Sequence, residues 1–161
     1  MIQIRPTLDD DGVMDFVASG LVVLEGVIDD EFNRRCDELE RGNCDAFIAS
    51  AGFTRQVLLH PEVAGVVRSL LGDDFLVPRG GHHHYFAEPY LGQTWHSDGL
   101  SGSGYDVTEL QCYYYPHSVE IEDGPTMVLP GSHCRAVDRE AIAHYGDISG
   151  QVALTVPAGT V

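Results

Sequence analysis

Apolar residues in the first half of the chain recur at helical spacing in three places, each flanked by residues that begin or end helices. Thr7 is predicted to cap the first helix, and Gly20 is predicted to end it. The second helix is predicted to begin at Asp29 or Asp30, and the third has Pro61 in its first turn. The apolar faces of the three predicted helices contain, in order, Val13, Phe16 and Val17; Phe32, Cys36 and Leu39; and Val63, Val66, Val67, Leu70 and Leu71.

The pattern changes at Phe75, after which short apolar runs are separated by Gly, Pro and Asp turns. Residues 110–115 and 152–156 are the clearest predicted strands, and the apolar side chains of the second run alternate onto one face. An earlier apolar run, residues 21–24, predicts a further short strand. Helices followed by strands predict a single α+β domain over residues 1–161, helical in 1–74 and stranded in 75–161. The strands are expected to close as a sandwich or a barrel.

Composition narrows the classes of function. With 25 acidic and 9 basic residues the net charge is −16, which opposes binding to nucleic acids and to anionic membranes. All nine basic residues are Arg, so lysine Schiff-base chemistry is excluded within this chain. No apolar run is long enough to span a bilayer and the N-terminus lacks a signal-peptide pattern, so a cytoplasmic protein is expected. The four cysteines include no Cys-x-x-Cys pair and are expected to be reduced thiols.

The residues His96-Ser97-Asp98 are the strongest candidates for chemistry. On a strand, side chains two residues apart share a face, so the imidazole of His96 and the carboxylate of Asp98 would project together. With a second imidazole, this pair would form the facial triad of non-haem Fe(II) oxygenases. The alternative is a solvated histidine followed by a turn, since Asp98 precedes Gly99.

Two segments in this order resemble the phytanoyl-CoA dioxygenase family of Fe(II)- and 2-oxoglutarate-dependent oxygenases. Residues 95–99 read Trp-His-Ser-Asp-Gly, and residues 122–133 read Glu-Asp-Gly-Pro-Thr-Met-Val-Leu-Pro-Gly-Ser-His. Residues 20–27 are also similar to the opening strand of that family. The resemblance implies a double-stranded β-helix, the cupin-like jelly roll, with the N-terminal helices packed on it.

The resemblance also implies an activity. His96 and Asp98 would hold Fe(II), with no catalytic side chain beyond the metal ligands. The enzyme would consume 2-oxoglutarate and O2 to hydroxylate a C–H bond of a small-molecule substrate, and would release succinate and carbon dioxide. Related halogenases lack the carboxylate ligand, so the presence of Asp98 favours hydroxylation.

Four further residues are candidate contacts of 2-oxoglutarate by the same resemblance: His83, Gln93, Tyr113 and Tyr115. Each also has an alternative interpretation. The histidines of residues 82–84 could instead form a second metal site. Gln93 could equally be an ordinary surface residue. The tyrosines could pack against neighbouring side chains, as aromatic residues in strands usually do. The histidine that ends the 122–133 segment is expected to shape the rim of the pocket and not to bind iron.

The family's third iron ligand is a histidine on a late strand, followed by an arginine that anchors 2-oxoglutarate, and no residue here matches either position. The chain is therefore expected to lack its C-terminal strands, with residues 152–156 next to the gap. Weak Fe(II) binding and little turnover are expected from these 161 residues alone. The alternatives are a non-catalytic or degenerate cupin-like binding module, and a cupin-type metal enzyme that needs no 2-oxo acid.

Overall fold

The structure is a computed structural model, and it describes residues 4–39, 44–84, 91–97, 106–134 and 142–161. Within these residues the first half is helical and the second half holds short extended segments, so the α+β prediction is confirmed. No described helix is long and apolar enough to cross a membrane. The helices are α1 (Asp10–Ser19), α2 (Asp30–Leu39), α3 (Cys44–Ile48), α4 (Ala51–Phe53) and α5 (Pro61–Leu71), and the strands are β1 (Met127–Val128) and β2 (Val152–Ala153).

Helix α1 begins two residues later than a Thr7 cap would place it. The N-cap is Asp9, whose carboxylate accepts a hydrogen bond from the Gly12 N–H at 2.9 Å. The prediction that Thr7 caps the helix is therefore wrong. Asp9 is the more favourable cap, because its carboxylate accepts a hydrogen bond and also interacts favourably with the helix dipole. The Thr7 N–H instead donates to Ser69 Oγ of α5 at 3.0 Å. The predicted end is confirmed, since Gly20 adopts the left-handed conformation that closes the helix.

The boundaries of α2 and α5 follow the sequence signals. Asp29 caps α2, because its carboxylate accepts the Phe32 N–H at 2.8 Å. Pro61 occupies the first turn of α5, which ends before Gly72. The buried face of α5 includes Val63 and Val66, as the apolar spacing predicts.

Residues 44–58 fold as α3, α4 and a π-helical turn, Thr54–Leu58, none of which the apolar spacing predicts. Val57 of this turn is fully buried in the main core, together with Ile28 and side chains of α2. Each large apolar side chain removed from water here stabilises the fold by about 1.5–3 kcal/mol. The partly buried residues that pack around this core are Val27, Phe47, Phe53, Leu58, Tyr114 and Val161.

The predicted strands are shorter than their apolar runs. β1 and β2 pair antiparallel, with Met127 opposite Ala153. After β2 the Thr155 N–H donates to the Ala153 carbonyl, which kinks the chain. Val152 is therefore 45% exposed while Val156 is buried, against the prediction of one shared face. Within residues 110–115, ladder pairing is limited to a single bridge at Tyr115.

Residues 156–161 lie between two other extended segments. On one side Leu24 and Val161 exchange two backbone hydrogen bonds, at 2.9 and 3.1 Å. On the other side Tyr115 pairs with Thr160, and Val119 pairs with Val156. Residues 24–28 and 115–119 are thus joined through residues 156–161. Among the described residues β2 has one partner strand, and the predicted gap beside residues 152–156 stays a prediction.

Candidate functional site

His96 lies in residues 91–97, where the chain bends at Trp95, and its side chain is exposed. Its Nδ1 atom lies 2.6 Å from the backbone carbonyl oxygen of Thr94. A carbonyl oxygen only accepts hydrogen bonds, so in the neutral imidazole this contact requires the proton on Nδ1 and the lone pair on Nε2. An imidazole oriented in this way is in the form in which histidine binds a metal ion.

Asp98, the second predicted metal ligand, lies outside the described residues. The convergence of its carboxylate with His96 therefore stays a prediction. Within the parts of the chain that the structure describes, no three His, Cys, Asp or Glu side chains are grouped so that they could hold one metal ion.

Trp95 connects the His96 segment to a distant part of the chain. Its indole N–H donates to the carbonyl oxygen of Gly146, at a long distance of 3.4 Å. Gly146 follows Tyr145, whose ring stacks on His144 with 4.2 Å between the ring centroids. No sequence signal marks Gly146 as a partner of Trp95, because a backbone carbonyl is available at every residue.

The three consecutive histidines are exposed. The rings of His82 and His84 lie 6.5 Å apart, as expected for two side chains on one side of an extended segment. His83 lies between them in the chain, and its contact with 2-oxoglutarate stays a prediction.

The Tyr113–Tyr115 run divides between the surface and the core. Tyr114 packs against Phe32, and its hydroxyl donates to Asn33 Oδ1 at 2.7 Å. The Tyr113 hydroxyl donates to Gln111 Oε1 at 2.6 Å, and that of Tyr115 donates to Thr126 Oγ1 at 3.3 Å. Gln93, the remaining candidate contact of 2-oxoglutarate, is exposed.

Within this run, the hydroxyl groups of Tyr113 and Tyr115 are bonded outside the helical core. Their contacts with 2-oxoglutarate, and that of Gln93, stay predictions.

His133 belongs to a turn that docks on the C-terminal end of α1. Its ring centroid lies 5.8 Å from that of Phe16, and the Gly131 N–H donates to the Ser19 carbonyl at 2.7 Å. A Cβ atom on Gly20 would overlap the His133 ring. The structure therefore gives this histidine a packing partner in α1.

One family model matches most of the chain: the phytanoyl-CoA dioxygenase (PhyH) model, over residues 27–161. No curated protein and no solved structure matches the chain.

Proposed function

The chain belongs to the phytanoyl-CoA dioxygenase family, and from this premise we propose that it is an Fe(II)- and 2-oxoglutarate-dependent dioxygenase that hydroxylates a C–H bond of a small organic molecule. The general kind of activity is that of the family, which consists of Fe(II)- and 2-oxoglutarate-dependent oxygenases. The described helices and small sheet are compatible with the fold that we propose for the whole domain, the double-stranded β-helix.

We assign the metal to His96 and Asp98. The observation that carries this assignment is the contact of His96 Nδ1 with the Thr94 carbonyl, because it orients the ring and, in the neutral imidazole, places the lone pair on Nε2. The i, i+2 spacing of His96 and Asp98 would present an imidazole and a carboxylate on the same side of an extended chain. Nitrogen and carboxylate oxygen ligands suit Fe(II).

When bound, Fe(II) activates O2 in a reaction that also converts 2-oxoglutarate to succinate and carbon dioxide. The residues of the chain have to bind and orient a dianionic cosubstrate on a protein whose net charge is −16. Local hydrogen-bond donors are therefore needed to offset the repulsion. We assign this role to the side chains of His83, Gln93, Tyr113 and Tyr115, which the structure describes as exposed or half-buried.

Metal binding is the first test of this proposal. Mn(II) serves as the probe, since its EPR signal distinguishes free from bound ions and it accepts the same ligands. We expect saturable binding by the protein and at least about tenfold weaker binding by His96→Ala and by Asp98→Ala. His117→Ala, which removes an exposed histidine elsewhere in the chain, should bind like the unaltered protein. Equal binding by His96→Ala and the unaltered protein would refute the metal assignment.

Turnover is the second test. Succinate formation that requires Fe(II) and is lost in His96→Ala would support the dioxygenase. Metal-dependent O2 uptake without 2-oxoglutarate would indicate a cupin-type enzyme of another kind. Metal binding with neither activity is expected both of a non-catalytic binding module and of an oxygenase that lacks its third iron ligand, so this outcome would not support catalysis by the chain.

A further inference from the structure

We propose that Trp95 is a positioning residue that ties the His96 segment to the turn formed by residues 142–151. The connection is the hydrogen bond from the Trp95 indole N–H to the Gly146 carbonyl, which spans 51 residues of sequence. The role of the tether in metal binding rests on the proposed function, whereas the tether itself does not.

The turn that receives this hydrogen bond is held together by its own contacts. Gln151 Oε1 accepts the Ile148 N–H at 2.7 Å, and Gln151 Nε2 donates to Asp147 Oδ1 at 2.8 Å. The Gln151 N–H also donates to the Ile148 carbonyl at 3.0 Å. Gln151 directly precedes β2, which pairs with β1. Trp95 is therefore tied to a turn that is itself fixed to the sheet.

Trp95 also lies in the chain between the two residues whose hydrogen bond orients the imidazole. His96 Nδ1 bonds to the carbonyl of Thr94, and Trp95 is the residue between them. Its backbone torsions therefore set the distance between the two bonded groups. The chain bends at Trp95, so the hydrogen bond of its indole to Gly146 holds the residue at which the bend is made.

Trp95 reports on its own tether, because it is the only tryptophan of the chain. Gln151→Ala removes both side-chain contacts of the turn and keeps the indole. We expect the metal-free variant to show a red-shifted emission maximum and stronger quenching by acrylamide, since Trp95 becomes more accessible. Gln56→Ala, at an exposed position of the π-helical turn, is the matched control and should leave both values unchanged. Unchanged emission and quenching in Gln151→Ala would overturn the tether.

Trp95→Phe tests the role of the tether in metal binding. The variant keeps an aromatic ring and lacks the N–H donor. We expect Mn(II) affinity to fall about three- to tenfold, the range that corresponds to the loss of one hydrogen bond. The visible absorption of the Co(II)-loaded variant should also change shape, because it reports ligand geometry, whereas a residue that only supports the fold would leave it unaltered. A far-ultraviolet circular dichroism spectrum like that of the unaltered protein confirms folding.

The outcomes separate this inference from the proposed function. If the unaltered protein and His96→Ala bind Mn(II) equally, the proposed metal site is refuted. The comparison of acrylamide quenching then decides by itself whether Trp95 is tied to the turn. If the unaltered protein binds Mn(II) and Trp95→Phe binds it within about twofold, the positioning role is refuted while the metal site stands. If Trp95→Phe does not fold, the affinity of Gln151→Ala for Mn(II) decides, with the same three- to tenfold loss expected.

Discussion

Replacing Gly159 by alanine should destabilise the protein through a steric overlap that can be separated from backbone strain. Gly159 has a φ angle of +79°, and a Cβ atom there would overlap the backbone carbonyl oxygen of Ile28 and lie 2.9 Å from Asn33 Nδ2. Moving either group would disturb a hydrogen bond. The Ile28 N–H donates to the Gly159 carbonyl, and Asn33 Nδ2 donates to the Ile28 carbonyl.

The expected magnitude has two parts. An L-residue held in the left-handed region costs roughly 1–2 kcal/mol. Extra atoms forced into a packed region add about 1–3 kcal/mol, because the backbone or neighbouring side chains have to shift. Gly159→Ala should therefore lower the free energy of unfolding by about 2–5 kcal/mol, a large part of the typical stability of a domain of this size.

Gly150→Ala is the matched control. Gly150 also has a positive φ, +89°, but a Cβ atom there would meet nothing within 4 Å. It should show the backbone strain alone, about 1–2 kcal/mol. Urea unfolding followed by circular dichroism measures both variants against the unaltered protein. Equal losses in Gly159→Ala and Gly150→Ala would refute the reasoning, since they would mean that the close approach to Ile28 carries no energetic weight.

Further predictions concern single contacts, each measured by urea unfolding unless stated otherwise. Asp9→Ala should cost about 1 kcal/mol, because it removes the side-chain cap of α1. Tyr114→Phe should cost about 1–3 kcal/mol, since Asn33 Oδ1 then lacks the donor that it has in the core. Ser69→Ala should speed amide hydrogen exchange at Leu8, whose N–H donates to the Ser69 hydroxyl at 3.0 Å, and unchanged exchange would contradict this. If the proposed function holds, raising ionic strength should lower the dissociation constant of 2-oxoglutarate measured by calorimetric titration with Mn(II) present, because salt screens the repulsion from a net charge of −16.

The features that the sequence predicts correctly depend on residues close together in the chain. Asp29 and Pro61 mark the starts of α2 and α5, and Gly20 marks the end of α1, because capping is satisfied within one turn of helix. The family resemblance is confirmed by the match of the family model. It could be recognised from the sequence because each of its two motifs, residues 95–99 and 122–133, is a continuous stretch of chain.

The features that the sequence does not predict depend on distant partners. The short helices in residues 44–58 are stabilised by packing, with Phe47 and Phe53 against residues of α2 and Tyr114. Such short segments have little helical stability of their own. At the candidate site, the motif makes His96 a candidate ligand, whereas the bond between Trp95 and Gly146 is visible only in the folded chain.

The position of residues 156–161 between residues 24–28 and 115–119 has a consequence for the order of folding. The Gly26 N–H donates to Thr160 Oγ1 across 134 residues of sequence, and Leu24 pairs with Val161. On the ribosome these contacts have to wait until the last of these residues has emerged, although α1 and α2 are made early. Contacts of such high sequence separation slow folding, because a long loop has to be closed before they form. Until then the apolar face of α2 lacks part of its cover, so the nascent chain has a period in which chaperone binding competes with aggregation.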